Sequence, residues 1–223
     1  MKWLLLIAAA FVLYSVLWVV MYKFINPPAT PVMFIRVAEG WIDGESIGIE
    51  KDWVDWEEIN RNFFRAAVAA EDARFMQHGG IDWKAVKAAR KYNEKHKGKK
   101  KRGASTITMQ TAKNAFLWHG RNYLRKGLEA YFTILIEAIW GKKRILEVYA
   151  NIVEFGEGLY GIEAASQKYF NKPAERLTKR QAALLAAILP NPRLWNPARP
   201  TKYLNKRAGT IMARMNQVQI PID

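Results

Sequence analysis

Across 223 residues, 35 Lys and Arg face 20 Asp and Glu, a formal charge of +15, and half of the chain is hydrophobic. That length allows one catalytic-size domain with an anchor, and the charge asks for an anionic partner: nucleic acid, acidic lipid headgroups or a phosphorylated substrate. The absence of cysteine excludes disulfides and thiolate chemistry.

In chain order, the first predicted element is an uncharged stretch from Trp3 to Tyr22, flanked by Lys2 and Lys23. About 20 apolar residues in a helix span a bilayer core, and Trp3, Trp18 and Tyr22 sit near the ends, where aromatic belts form. The stretch is too long for the apolar core of a cleaved signal peptide, and no A-x-A-like site follows it. It predicts an anchor within residues 1–24. The proline-rich Asn26–Phe34 reads as a stiff extended spacer. The glycine-broken segment after it reads as a small hairpin or irregular strand, so 25–55 is expected to be linker and irregular structure. A mainly α catalytic domain is expected over 56–223. Within it Phe63, Phe64, Ala67, Val68 and Ala70 recur at helical spacing. Further helices are predicted near Trp83–Tyr92, Thr106–Phe116, Tyr123–Trp140, Lys142–Val153, Gly158–Tyr169, Thr178–Ile188 and Tyr203–Val218. Thr178 is an N-cap candidate, and Pro190 and Pro192 stop the helix before them. The basic run Lys95–Gly103 is expected to be a solvated loop or a flap facing an anionic lipid or diphosphate.

Five clusters carry candidate chemistry. The doublet Glu71–Asp72 closes an apolar run. On continued helix spacing Glu71, Phe75 and His78 share a side and Asp72 is rotated by about 100°. A carboxylate there is either solvated or desolvated into a proton-handling group with a raised pKa. In Arg102–Asn114 the hydroxyls of Ser105, Thr106 and Thr108 precede Gln110, Lys113 and Asn114, a capped helix that could present N–H groups and an ammonium to an anion. Arg125 and Glu129 stand at i and i+4, with Lys126 between them. Arg before Glu is the weaker helix orientation, so stability explains the pair poorly, and Arg125 with Lys126 could hold a diphosphate. The glycines of Lys142–Lys172 allow tight turns and close approach, and Leu177–Pro192 reads as a buried helix with a proline stop. Ala115–Gly127 mixes Phe116, Leu117 and Trp118 with Arg121 and Arg125, which fits either a segment dipping into headgroups or core packing.

Taken in order, E-D-x-R-F-x-x-H-x-G at 71–80, G-x-S-T-I-T-x-Q-x-x-K-N at 103–114 and R-K-x-x-E at 125–129 come first. I-L-E-x-Y-x-N-x-V-x-F-G-x-G-x-Y-G-I at 145–162 and A-A-L-L-A-A-I-L-P-N-P at 182–192 follow. This set closely resembles the peptidoglycan glycosyltransferase family over roughly Trp56–Met215. No transpeptidase segment is expected after Asp223, so the resemblance implies the monofunctional biosynthetic type. One departure is Met109, where the family has a glutamine before Gln110.

The resemblance implies a lysozyme-like helical fold, an external active site near the bacterial cytoplasmic membrane, and lipid II with a growing glycan chain as substrates. A sugar hydroxyl attacks the anomeric carbon of the growing chain, undecaprenyl diphosphate leaves, and a β-1,4 linkage forms with inversion. Glu71 is the expected base. Glu129 is the second family glutamate, orienting cations or assisting departure. Lys113, Arg125 and Lys126 form the diphosphate site, and Gln110, Ser105, Thr106 and Asn114 complete the substrate-binding set as supporting polar groups. Asp72 and His78 are candidates for holding a divalent cation (Mg or Mn) or for supporting structure. No cofactor is required from sequence. Membrane lipids and other cell-wall synthesis or division proteins are expected partners, and nucleic acid is not. Two rivals are weighed: a lysozyme-like glycan-cleaving enzyme, which would not need the cations of R-K-x-x-E, and a non-enzymatic anionic-lipid binder, which would tolerate Glu71→Gln.

Overall fold

A computed structural model describes residues 2–96, 102–120 and 122–221. Much of the basic run and Arg121, both named above, lie outside the described residues. Helix α1 (Lys2–Phe24) is long and apolar enough to cross a membrane. Its first half projects with its leucines exposed, whereas Val19 and Tyr22 are buried. The buried end is tied down by directional bonds: Trp140 Nε1 donates to the Val19 carbonyl at 2.7 Å, and Arg144 Nη2 to that of Tyr22 at 2.9 Å. Tyr22 also stacks on Phe116 at 5.6 Å.

The segment read as a spacer and hairpin contains a helix instead, α2 (Pro31–Ile42). Pro31 stands in its first turn, where a missing N–H costs nothing because that group has no intrahelical partner. Gly40 lets Ile47 pack against the helix, since a Cβ there would lie 2.7 Å from the Ile47 side chain. Proline and glycine read as breakers in sequence, whereas here one starts a helix and the other admits a neighbour; the strand expected in this segment is present as the short Glu50–Lys51.

Eight further helices follow among the described residues: α3 (Arg61–Glu71), α4 (Trp83–Lys95), α5 (Ile107–Phe116), α6 (Tyr123–Ile139), α7 (Gly141–Ile152), α8 (Ile162–Phe170), α9 (Lys179–Ile188) and α10 (Lys202–Arg214). The expected caps are in place. Thr106 accepts from the Met109 N–H, and Thr178 forms a capping box with Gln181. Alanine-rich α9, buried from Ala182 to Ile188, lies between α3 and α10, because small side chains let helix backbones approach. Phe63 and Phe64 of α3 are fully buried, and Trp56 stacks on Phe64 at 4.0 Å. Burying each such ring contributes about 1.5–3 kcal/mol. On the other side α5 packs on α6 and α7. Phe116 and Leu117 are buried in this core, so packing, not headgroup insertion, accounts for them; Tyr123 and Leu124 are exposed.

A small sheet joins β1 (Glu50–Lys51), β2 (Glu154–Gly156) and β3 (Leu159–Tyr160) in the order β1–β3–β2, with β1/β3 parallel and β2/β3 antiparallel. Hence α8 begins at Ile162, later than its periodicity predicts: Leu159 and Tyr160 are drawn into strand pairing. Two glycines permit this. Gly158 (φ +66) would place a Cβ 2.4 Å from the Gly48 carbonyl oxygen, and Gly161 (φ +82) one 2.9 Å from that of Asn151.

Candidate active site

The helical run through α3 ends at Glu71. Asp72 leaves it with φ −157, and Phe75–Gln77 is a separate 3-10 turn. The shared helical side expected for Glu71, Phe75 and His78 therefore does not exist. Instead the two acids of the doublet grip α5 at two points one turn apart. Asp72 accepts the Ile107 N–H at 3.1 Å, at the first residue of α5, and Glu71 Oε2 accepts from Gln110 Nε2 at 3.0 Å. A carboxylate at a helix N-terminus satisfies an otherwise unpaired N–H and favours the local dipole. Asp72 thus docks the end of α3 on the start of α5 and sets Glu71 beside Gln110.

Glu71 has a second neighbour, Arg207 of α10, whose Nη2 lies 3.7 Å from Oε1. Burial pushes the Glu71 carboxyl above its ordinary range and Asp72 adds to this, while the Gln110 hydrogen bond and the Arg207 charge oppose it. Tyr149 lies fully buried in the same electrostatic neighbourhood. Glu71 and Asp72 line one recess of about 290 Å³, with Arg74, Asp82, Ser105, Thr106 and Arg214.

A larger cleft of about 570 Å³ lies across Gln110 and Ser105 and is lined by Met109, Lys113, Asn114, Arg125, Lys126 and Glu129, among others. Asn122 caps α6 by accepting the Arg125 N–H at 2.7 Å, and Arg125 Nε donates to the Gly120 carbonyl at 2.7 Å. Arg125 Nη1 and Lys126 Nζ both donate to the buried Glu129 carboxylate, one to each oxygen. Lys113 is half-buried in the same wall. Burial lowers its pKa, and Glu129 is the chief opposing influence. The cleft wall therefore presents three cations around one carboxylate, an arrangement suited to the charge of a leaving diphosphate.

The structure thus gathers Glu71, Gln110, Lys113, Arg125, Lys126 and Glu129 about one pair of adjoining cavities, with Ser105 exposed between them and Asn114 and Met109 in the wall. Thr106 and His78 make supporting contacts. The Thr106 hydroxyl donates to the Gly80 carbonyl at 2.5 Å and caps α5, so it holds the scaffold instead of a substrate. His78 Nε2 contacts the Asp72 carboxylate at 2.9 Å, which makes the histidine a support for Asp72. Asp72, His78 and Asp82 do bring one ligand atom each within 4.8 Å of one another. However, Asp82 is bound by the Arg74 guanidinium and accepts the Ala85 N–H at 2.8 Å, and Asp72 is engaged as above. These oxygens do not fit a hard divalent cation, which needs several free oxygen ligands. Sequence reading missed Arg207, Arg36, His119, Glu154 and Tyr160, all at the two cavities or beside Glu71. They come from elements far apart in the chain, and only the motif at 145–162, which spans Glu154 and Tyr160, could have drawn attention to two of them.

Nearly the whole chain is similar to known proteins. The family model described as Transglycosylase matches residues 43–216. A biosynthetic peptidoglycan transglycosylase of Rhodospirillum centenum is 52% identical over 94% of this chain and 87% of its own. Proteins of the same name from Bdellovibrio bacteriovorus and Pseudomonas fluorescens are 50% and 49% identical, over 96% and 92% of this chain and 85% and 84% of theirs. A match of that extent, joined to a helical domain with a desolvated glutamate beside a cation-lined cleft, places this chain in the transglycosylase family.

Proposed function

We propose that the protein polymerises lipid II into peptidoglycan strands by inverting glycosyl transfer, releasing undecaprenyl diphosphate. The observation that carries this reading is the Gln110 bridge: its amide holds Glu71 while the same residue lines the cleft of Lys113, Arg125, Lys126 and Glu129. An attacking alcohol needs a base, and a diphosphate needs charge neutralisation more than a proton. The two requirements fall on opposite sides of one side chain.

In the proposed step the acceptor disaccharide enters the Glu71 recess and gives its hydroxyl proton to that carboxylate. The hydroxyl oxygen bonds to the anomeric carbon of the chain held in the larger cleft. The bond from that carbon to the diphosphate breaks on the opposite face, and Lys113, Arg125 and Lys126 take up the charge of the leaving group. Desolvation brings the Glu71 pKa nearer to neutral pH, where a base works best, and Arg207 with Gln110 keeps enough of it ionised. Glu129 fixes the two α6 cations in place. A glycan-cleaving enzyme would need an acid for its sugar leaving group, and the glutamate facing this leaving group is already bound by two cations.

The proposed organisation is an anchor over 1–24, a connecting segment over 25–55 and a catalytic domain over 56–223, with α1 in the cytoplasmic membrane and the domain on its external face. Gel analysis of products from labelled lipid II tests the reading. Wild type is expected to form glycan strands and Glu71→Gln to form almost none. Strands from the variant, or digestion of polymeric glycan by the wild type, would reject it.

A further inference from the structure

The recess that holds Glu71 does not end at its carboxylate. It shares Ala69, Ala70 and Arg214 with a second, adjoining opening, a groove of about 250 Å³ between α3 and α10. Ala69 and Ala70 of α3 and Ile211 of α10 give that groove apolar sides, and the ring of Tyr203, 58% exposed, stands beside them. Lys206 and Arg214 complete it, and both are exposed. Neither the Lys206 ammonium nor the Arg214 guanidinium has an ion pair or hydrogen bond among the described residues. Arg207, on the same helix, is different: its Nε donates to the Ala187 carbonyl at 3.1 Å and its Nη2 faces Glu71. Two solvent-reachable cations without partners therefore flank a groove that adjoins the proposed base.

The spacing of the cations selects the ligand. Positions 206 and 214 share a side of α10 and stand about 12 Å apart along its axis. A diphosphate is a compact charge, met by cations that converge, as Arg125 and Lys126 converge on Glu129. Lys206 and Arg214 do not converge, and alanine and isoleucine lie in the groove with them. Such a groove suits an extended chain that carries carboxylates and short aliphatic groups. An extended peptide advances about 3.3–3.6 Å per residue, so carboxylates three or four residues apart span the two cations. The ligand class is an acidic peptide.

We propose that the α3–α10 groove is a subsite for an acidic peptide, in which Lys206 and Arg214 pair with carboxylates of the short peptide carried by the acceptor disaccharide. This rests on the function proposed above and adds a part of the substrate remote from the bond that forms. The test supplies the full-length protein with lipid II whose peptide carboxylates are free, or with the same lipid II after their conversion to amides, and measures KM for polymerisation. Wild type is expected to show a KM about fivefold lower for the free carboxylates, the order set by exposed charge pairs, and added salt should shrink that preference. In the double variant Lys206→Gln/Arg214→Gln the two substrates should have equal KM. Each single variant is expected to lose part of the preference and serves as an independent arm should the double variant not fold. A wild type indifferent to amidation, or variants that keep the full preference, overturns the subsite while leaving the function standing; in the second case an equal rise of KM for both substrates would assign the cations to phosphate. A wild type that forms no strands from either substrate overturns the underlying function and the subsite with it.

Discussion

Glu71 at the end of α3 has one amide donor at 3.0 Å and a guanidinium at 3.7 Å. Glu129, near the middle of α6, is bound by Arg125 and Lys126 together and is almost wholly buried. The two regions use the same side chain for opposite ends. Burial with little compensation raises the proton affinity of the first, which is the property of a base. Two direct cations saturate the second and make it a counter-ion that holds a charged wall rigid. Glutamate chemistry in this cleft is therefore set by the partners within reach of each carboxylate.

The sharpest way to break the comparison is Glu71→Gln. Removing a general base is expected to cost 10²- to 10⁴-fold, about that range, in polymerisation rate. Stability should be equal or higher. A carboxyl whose folded pKa is raised costs the fold stability as pH climbs from the ordinary carboxylate range through that raised value, and the amide removes this cost at neutral pH. A product gel with a thermal melt reads both. Loss of the fold, or a retained rate, would end the assignment.

Glu129→Gln should behave differently. Buried Arg125 would be left without its carboxylate, and breaking a buried pair by removing one partner costs about 3–5 kcal/mol. Chemical denaturation should record that loss, and activity should fall with it. If stability were untouched, the two glutamates would not be in opposite settings.

A smaller effect isolates the tuning of Glu71. Gln110→Ala and Arg207→Ala each remove an influence that favours the ionised form, so each should raise the Glu71 pKa further. The acid limb of the kcat/KM profile should then move to higher pH in both variants. A shift to lower pH would refute the assignment of Glu71 as the titrating base. The smallest expected change is in the scaffold. Thr106→Ala removes the cap of α5 and should cost about 1 kcal/mol of stability, without moving that acid limb. A displaced limb would mean that Thr106 acts on the chemistry after all.

Much of this architecture is legible in residue order because its causes are local. The apolar run of α1, the caps at Thr106 and Thr178, and the proline stop after α9 each depend on neighbours within a few positions. The i, i+4 relation of Arg125 and Glu129 is likewise local and places both in one cleft wall. Helix α2 was hidden because its proline and glycine have two uses, and packing against α5 and Ile47 selects between them. The helical spacing carried past Glu71 was wrong because Asp72 is claimed by the N–H of Ile107, a demand made from another helix.

By itself, the sequence determined which segments other than α2 are helical, where most of them start and stop, and that one basic domain carries glutamates and cations in a recognisable order. Only the tertiary structure decided which glutamate is short of partners and which is saturated. It also set Arg207 beside Glu71, and Arg36 with Tyr160 on one cleft wall. The reason is physical: helix propensity and capping act along the chain, whereas desolvation and charge pairing act through space.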